Sequence, residues 1–303
     1  MSMKVLISED IAESAEKMLS GHDVFKTEQG TSEFERHIRD TDALIVRTYT
    51  KVNKELLKKA KSLRYVIRCG VGVENIDVGA CESKGIKVIN APGSNADSVA
   101  EHTVMMILAS MRDLVASHDH TKNGGWDRQK TVGRELKGKT VGLLGFGATG
   151  RSVAEKLKGF GVNILAYDVL MDEQKAGQLG AKPVGLEELA RNSDIISVHV
   201  PLLDSTHHIV NREFMDKMKG GAVIVNTSRG AIIDEAALIS ALESRKLSFA
   251  ALDVFENEPP EGSELLKLAN VLLTPHVAGV TVESFERMCS EPIARMLGDS
   301  NEN

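Results

Sequence analysis

The run from Val141 to Asp168, VGLLGFGATGRSVAEKLKGFGVNILAYD, restricts what this chain can fold into more than any other stretch. It opens on Val141-Gly142-Leu143-Leu144, an apolar run that reads as a buried parallel strand. Gly145, Gly147 and Gly150 follow in the spacing G-x-G-x-x-G. Val153, Leu157 and Phe160 then recur at helical spacing, and the apolar run Val162 to Tyr167 ends in Asp168. Gly145 permits a tight turn, Gly147 lets a pyrophosphate approach the backbone, and Gly150 lets the helix pack close to the strand. The amides and dipole of the helix start attract the anion. Asp168 stands where a carboxylate accepts hydrogen bonds from ribose hydroxyls. A lone glycine fingerprint is weak evidence. Here strand, helix, second strand and terminal acid are all present, and they predict a dinucleotide site.

At 303 residues the chain suits two domains or one large one, and with 42% hydrophobic residues it can bury sizeable cores. A net charge of -6 argues against a general nucleic-acid binder. The three cysteines, Cys69, Cys81 and Cys289, are odd in number and widely spaced, which suggests neither a disulfide framework nor a metal site. No apolar run approaches the roughly 20 residues that span a bilayer, and the N-terminus lacks a cleavable signal. The expectation is a soluble cytoplasmic protein that binds a small molecule, without membrane or nucleic-acid partners.

The rest of the chain alternates strand and helix. Strands are predicted at Lys4–Ser8, Ala43–Val46, Tyr65–Arg68 and Lys87–Ile89, with helices at Ile11–Leu19 and Lys54–Lys61. A long apolar helix, Ala96–Val115, is placed to carry the chain from one domain to the next. His118–Lys139 reads as a long polar loop, in which Trp126 is either an interface anchor or packed within its own subunit. After Asp168, strands are predicted at Asp194–Val200, Ala222–Asn226, Phe249–Val254 and Val271–Thr274, with a helix at Asp234–Glu243. Such alternation means a parallel α/β sheet with ligands at the carboxyl ends of its strands.

Arg229, Glu258 and His276 each follow one of those later strands. A nicotinamide enzyme acting on an alcohol needs a group that takes the hydroxyl proton as hydride leaves. His276 suits this, with Glu258 orienting the ring and favouring its charged form. Arg229 offers a bidentate fork for a substrate carboxylate and polarises the adjacent carbonyl. Taken singly, each of the three is as readily a surface ion pair or a loop residue. Their order after a dinucleotide fingerprint joins them into one set.

The segments LLGFGATGRSVA, SDIISVHVPLLDSTHHIVN, VIVNTSRGAIIDEAAL, AALDVFENEPP and LLTPHVAG, in this order, make the chain resemble the D-isomer-specific 2-hydroxyacid dehydrogenases over nearly its whole length. The resemblance implies NAD as cofactor and a catalytic set of Arg229, Glu258 and His276. It also implies that Asp253 helps shape the site near the nicotinamide, the alternative being a structural cap. With Gly145, Gly147, Gly150 and Asp168, the expected cofactor contacts are Ala148, Thr149, Val200, Pro201, Thr206, Thr227, Ser228, Asp253, His276 and Gly279. The carboxylate at Asp168, followed by Val169-Leu170 with no cation, favours NAD over NADP.

Within the family, Val46-Arg47-Thr48, Ile67–Asp77 and Gly125-Trp126-Asp127-Arg128 are most similar to members that oxidise 3-phospho-D-glycerate at C2. This implies that the amides of Val71 and Gly72 hold the substrate carboxylate with Arg229. It also implies that Arg47, Arg68 and Arg128 bind the phosphate, Arg128 either from the same chain or from the partner subunit of a homodimer. Three clustered cations without an anion would repel one another. Glu101-His102-Thr103 departs from those members at its middle residue, and no C-terminal regulatory domain is expected. The runner-up is a reductase of glyoxylate, hydroxypyruvate or another small 2-oxo acid. A non-catalytic NAD-binding scaffold is the reading from another class. The expected architecture is two Rossmann-like α/β domains with parallel sheets: a flavodoxin-like substrate domain of residues 1–95 and 277–303, and a dinucleotide domain of residues 96–276.

Overall fold

The computed structural model describes residues 2–129 and 132–302 and divides into two compact units, one running to Asn95 and resuming at Val280, the other Ala96–Gly279. The second crossing thus falls at Val280 rather than Val277. The reason is local, since the amides of Val277 and Ala278 both donate to the Asp253 carboxylate and hold these residues in the second unit. Among the described residues no helix is long and apolar enough to cross a membrane.

The first unit is a five-stranded parallel sheet of β1 (Lys4–Ile7), β2 (Asp23–Lys26), β3 (Ala43–Val46), β4 (Tyr65–Arg68) and β5 (Lys87–Ile89), in the order β2-β1-β3-β4-β5. This is the flavodoxin order. Position follows composition. Ala43-Leu44-Ile45-Val46 is buried on both faces and lies in the middle, whereas Asp-Val-Phe-Lys of β2 is half exposed and lies at the edge. The helix Val282–Glu302 returns to this unit and sets Cys289, Ile293 and Met296 against Val5, Ile7 and Ile67.

The second unit is a seven-stranded parallel sheet of β6 (Thr140–Leu144), β7 (Asn163–Tyr167), β8 (Ala181–Pro183), β9 (Ile195–Val198), β10 (Ala222–Asn226), β11 (Leu247–Leu252) and β12 (Val271–Leu273). Its order is β12-β11-β10-β9-β6-β7-β8. The order reverses between β6 and β9, where Leu144 pairs with both Tyr167 and Val198. A crevice opens beyond the strand ends at such a reversal.

Several expectations change in detail. β9 ends at Val198 and β11 at Leu252, so His199–Pro201 and Asp253 belong to loops rather than strands. The long helix ends at Arg112, because Asp113 takes a left-handed conformation (φ 45°) that an aspartate tolerates. A second helix, Leu114–Lys122, occupies the start of the stretch expected to be loop. Residues 130 and 131 of that stretch lie outside the described residues. Trp126 is 78% exposed, so it is not packed within its own subunit.

Candidate active site

The glycine turn after β6 is set by contacts that exclude a side chain. Gly145 has φ 104°, and a Cβ there would fall 2.6 Å from the Val200 nitrogen. A Cβ on Gly150 would fall 2.3 Å from the Gly145 carbonyl oxygen. Gly147 differs, because nothing lies within 4 Å of where its Cβ would be. The helix Ala148–Leu157 starts there with no side-chain cap, so the Ala148 and Thr149 amides stand at an end that an anion can satisfy. Asp168 sits beside the turn, accepting from Phe146 N–H at 2.7 Å and Leu170 N–H at 2.9 Å. A carboxylate has about four lone-pair positions, which leaves acceptor capacity for ribose hydroxyls. An open glycine, an uncapped helix start and a fixed carboxylate fit NAD.

The neighbouring strand ends are tied together. The Ser228 hydroxyl donates to the Val200 carbonyl at 2.5 Å, and the Thr206 hydroxyl to the Pro201 carbonyl at 2.6 Å. The Thr227 hydroxyl lies 2.9 Å from that of Thr103. Of the expected cofactor residues, these hydroxyls therefore also brace the loops that carry them. Gly279 lies in the turn after Ala278.

Arg229, Glu258 and His276 all leave the same edge of this sheet, after β10, β11 and β12. Asn226 holds the Arg229 turn by donating to the Arg229 carbonyl at 2.9 Å and accepting from the Ser228 amide at 3.0 Å. The Arg229 guanidinium donates to the Ser228 carbonyl at 2.8 Å. His276 Nδ1 meets Glu258 Oε2 at 2.7 Å, and Glu258 Oε1 accepts from the Phe255 amide at 3.2 Å. His276 is left-handed (φ 54°), and its amide donates to the carbonyls of Asp253 and Thr274. The ring is half exposed, with Nδ1 on the carboxylate.

Asp253 is fully buried and accepts from the Thr274 hydroxyl at 2.5 Å, Val277 N–H at 2.9 Å and Ala278 N–H at 2.8 Å. His102 Nε2 reaches the Thr274 hydroxyl at 3.2 Å and lies 3.7 Å from Asp253. Burial pushes the His102 imidazole below its ordinary range, against the pull of the Asp253 charge. The unusual middle residue of Glu101-His102-Thr103 thus supports the buried carboxylate under the His276 turn.

Arg47, Arg68, Val71 and Gly72 belong to the first unit, and Arg128 to an exposed turn of the second. The Arg68 guanidinium folds over Gly70, 2.3 Å from where a Cβ would stand, and donates to the Cys69 carbonyl at 2.9 Å. The Arg47 guanidinium lies 4.7 Å from the Phe285 ring centre. Burial lowers the Arg68 guanidinium from its ordinary range, opposed by the nearby Glu9 and Glu74 carboxylates. These two acids compensate part of the Arg68 charge. The Glu74 carboxylate also lies over Gly72, 2.2 Å from where a Cβ would stand.

A family model described as D-isomer specific 2-hydroxyacid dehydrogenase, NAD binding domain, matches residues 104–278. The chain belongs to the D-isomer-specific 2-hydroxyacid dehydrogenase family. It is 43% identical to D-3-phosphoglycerate dehydrogenase of Archaeoglobus fulgidus over 93% of this chain and 54% of the relative. It is also 43% identical to hydroxypyruvate reductase of Thermotoga maritima, over 86% of this chain and 85% of the relative. The chain spans about half the length of the phosphoglycerate relatives it matches. Among solved structures, D-lactate dehydrogenase from Aquifex aeolicus complexed with NAD and lactic acid superposes with a TM-score of 0.86 at 31% identity, covering 99% of this chain and 96% of that one.

Two residues of this family member escape sequence reasoning. Glu9 accepts from the amides of Arg47, Thr48, Tyr49 and Thr50 at 2.8–3.0 Å and so shapes the loop that presents Arg47. Its carboxyl is held below the usual range by those amides, which outweigh the opposing effect of burial. His199 packs behind the glycine turn, with Nε2 on the Ser197 hydroxyl at 2.9 Å and Nδ1 buried without a partner. Burial pushes its imidazole down to about 4, so it is neutral near pH 7. A single acid or a histidine just after an apolar strand carries no distinguishing pattern.

Proposed function

We propose that the chain interconverts a D-2-hydroxy acid and its 2-oxo acid with NAD, and that its substrate is 3-phospho-D-glycerate, oxidised at C2 to 3-phosphohydroxypyruvate. The observation that carries the reaction type is the His276–Glu258 pair at 2.7 Å, in the unit that holds the dinucleotide loop. Bound NAD supplies the hydride acceptor. His276, oriented through Nδ1 by Glu258, takes the hydroxyl proton at Nε2 in the oxidation and returns it in the reduction. Arg229 pairs with the substrate carboxylate and polarises the C2 oxygen, and general acid–base catalysis of this type contributes roughly 10²–10⁴-fold. Asp253 and His102 position the His276 turn.

The substrate reading rests on the relatives named D-3-phosphoglycerate dehydrogenase and on two arginines, Arg47 and Arg68, at the strand ends of the first unit. Val71, Gly72 and Arg128 complete the proposed substrate contacts. A reductase of hydroxypyruvate or glyoxylate is the second reading, favoured by the carboxylates of Glu9 and Glu74 near Arg68. A homodimer, with exposed Trp126, Leu114 and Val115 in its interface, is part of the proposal.

The test is NADH oxidation with 3-phosphohydroxypyruvate, hydroxypyruvate and glyoxylate, on wild type and on Arg47→Ala, Arg68→Ala. The expected result is wild-type preference for the phosphorylated acid, and a loss in the double variant far larger for it than for hydroxypyruvate. Equal losses, or a wild-type preference for an unphosphorylated acid, would promote the second reading.

A further inference from the structure

The loop after β9 carries His207 and His208, and the loop after β11 carries Glu256. Neither histidine has a part in the proposed reaction. The ligating atoms of these three side chains lie within 4.8 Å of one another. His208 Nε2 meets Glu256 Oε1 at 2.8 Å, and the two imidazoles stack at 4.0 Å between centres with 26° between their planes. Adjacent residues in extended backbone point to opposite faces. Here His208 is left-handed, with φ 49°, which brings both rings to one side. The arrangement is pinned on both flanks. The His208 amide donates to the Ala231 carbonyl at 2.9 Å, and Thr206 fastens the turn before it through the Pro201 carbonyl and the Leu203 amide.

We propose that His207, His208 and Glu256 form a binding site for a zinc-type divalent cation. Two neutral imidazoles and one carboxylate are borderline donors that select zinc, nickel or copper over magnesium and calcium, which prefer an all-oxygen shell. Zinc held tetrahedrally at about 2.0–2.1 Å needs donor atoms roughly 3.3 Å apart. The donor atoms lie within 4.8 Å of one another, and His207 and Glu256 are exposed, so each can turn towards a shared ion. The metal replaces the proton shared by His208 and Glu256, and water completes its shell. The site lies on the same loop as Glu258, two residues before it, but shares no side chain with the proposed catalytic set.

The test is titration of the full chain with zinc in competition with a chromophoric chelator, in the presence of excess magnesium. The expected result is one zinc per chain that magnesium does not displace. Substituting His207→Ala or Glu256→Gln is expected to weaken binding at least about tenfold, while His276→Ala leaves it unchanged. His207 and Glu256 are exposed, so these variants keep the fold, and circular dichroism checks that they do. Absence of zinc binding in the wild type would overturn the proposal, as would binding retained in both His207→Ala and Glu256→Gln. Loss of binding in His276→Ala would overturn it too, by assigning the metal to the His276–Glu258 pair.

Discussion

A Cβ on Gly230 would stand 1.8 Å from the carbonyl carbon of Phe255. The turn that presents Arg229 therefore lies directly on the backbone of the loop that presents Glu258. Any side chain between them must separate the two loops, and overpacking of this kind typically costs about 1–3 kcal/mol or more. Gly230→Ala is expected to lower the melting temperature and to reduce kcat together, because it moves two of the proposed catalytic groups at once. Thermal melts and steady-state kinetics check this. A variant with wild-type kcat would show that the two loops are not coupled.

Gly147 and Gly150 carry the same residue type for opposite reasons. Gly147→Ala meets no neighbouring atom, so its melting temperature should stay within ~2 °C of wild type while NADH affinity falls about tenfold or more. Gly150→Ala meets the Gly145 carbonyl and should lower stability itself. Calorimetric melts beside fluorescence titration with NADH separate the two effects.

His276→Ala should reduce kcat by roughly 10²–10⁴-fold with little change in NADH affinity. Glu258→Gln keeps the shape of the side chain and removes its charge. It should lower kcat less than His276→Ala does, and the double variant should be no worse than His276→Ala alone, since the two act as a unit. Additive losses would argue against the pairing.

Stability at low pH should depend on His199. Its folded-state value is lowered to about 4 from an ordinary 6.5, so as pH falls the unfolded chain takes up a proton before the folded one does. Stability is therefore full above about 6.5 and declines as pH falls towards 4. The contribution is at most ~3 kcal/mol. In His199→Gln this part of the decline should disappear. Urea melts of both proteins at pH 7 and pH 5 measure the difference, and parallel losses would contradict it.

The sequence discloses the elements whose burial is complete. Val141–Leu144, Ala222–Val225 and Ala43–Val46 are continuous apolar runs because both faces of each strand are covered. The edge strands β2 and β8 are short and half exposed, with Asp, Lys and Pro among their residues, so no periodicity announces them. The catalytic candidates were legible because each follows a strand. Glu9 and Glu74 were not, because their effect on the arginines depends on how loops fold back, and local sequence does not encode that. The helix break at Asp113 likewise rests on one residue that tolerates a left-handed backbone.

The helix Val282–Glu302 has a consequence for the order in which the protein matures. Until it emerges from the ribosome, the face of the first sheet formed by Val5, Ile7 and Ile67 lacks the cover of Cys289, Ile293 and Met296. Burying side chains of this kind is worth about 1.5–3 kcal/mol each. The unit that is started first is therefore finished last, while Ala96–Gly279 holds all seven of its strands and can complete its own sheet in the meantime. A nascent chain paused before Val282 should carry a protease-resistant second unit beside a first unit that is still being cut.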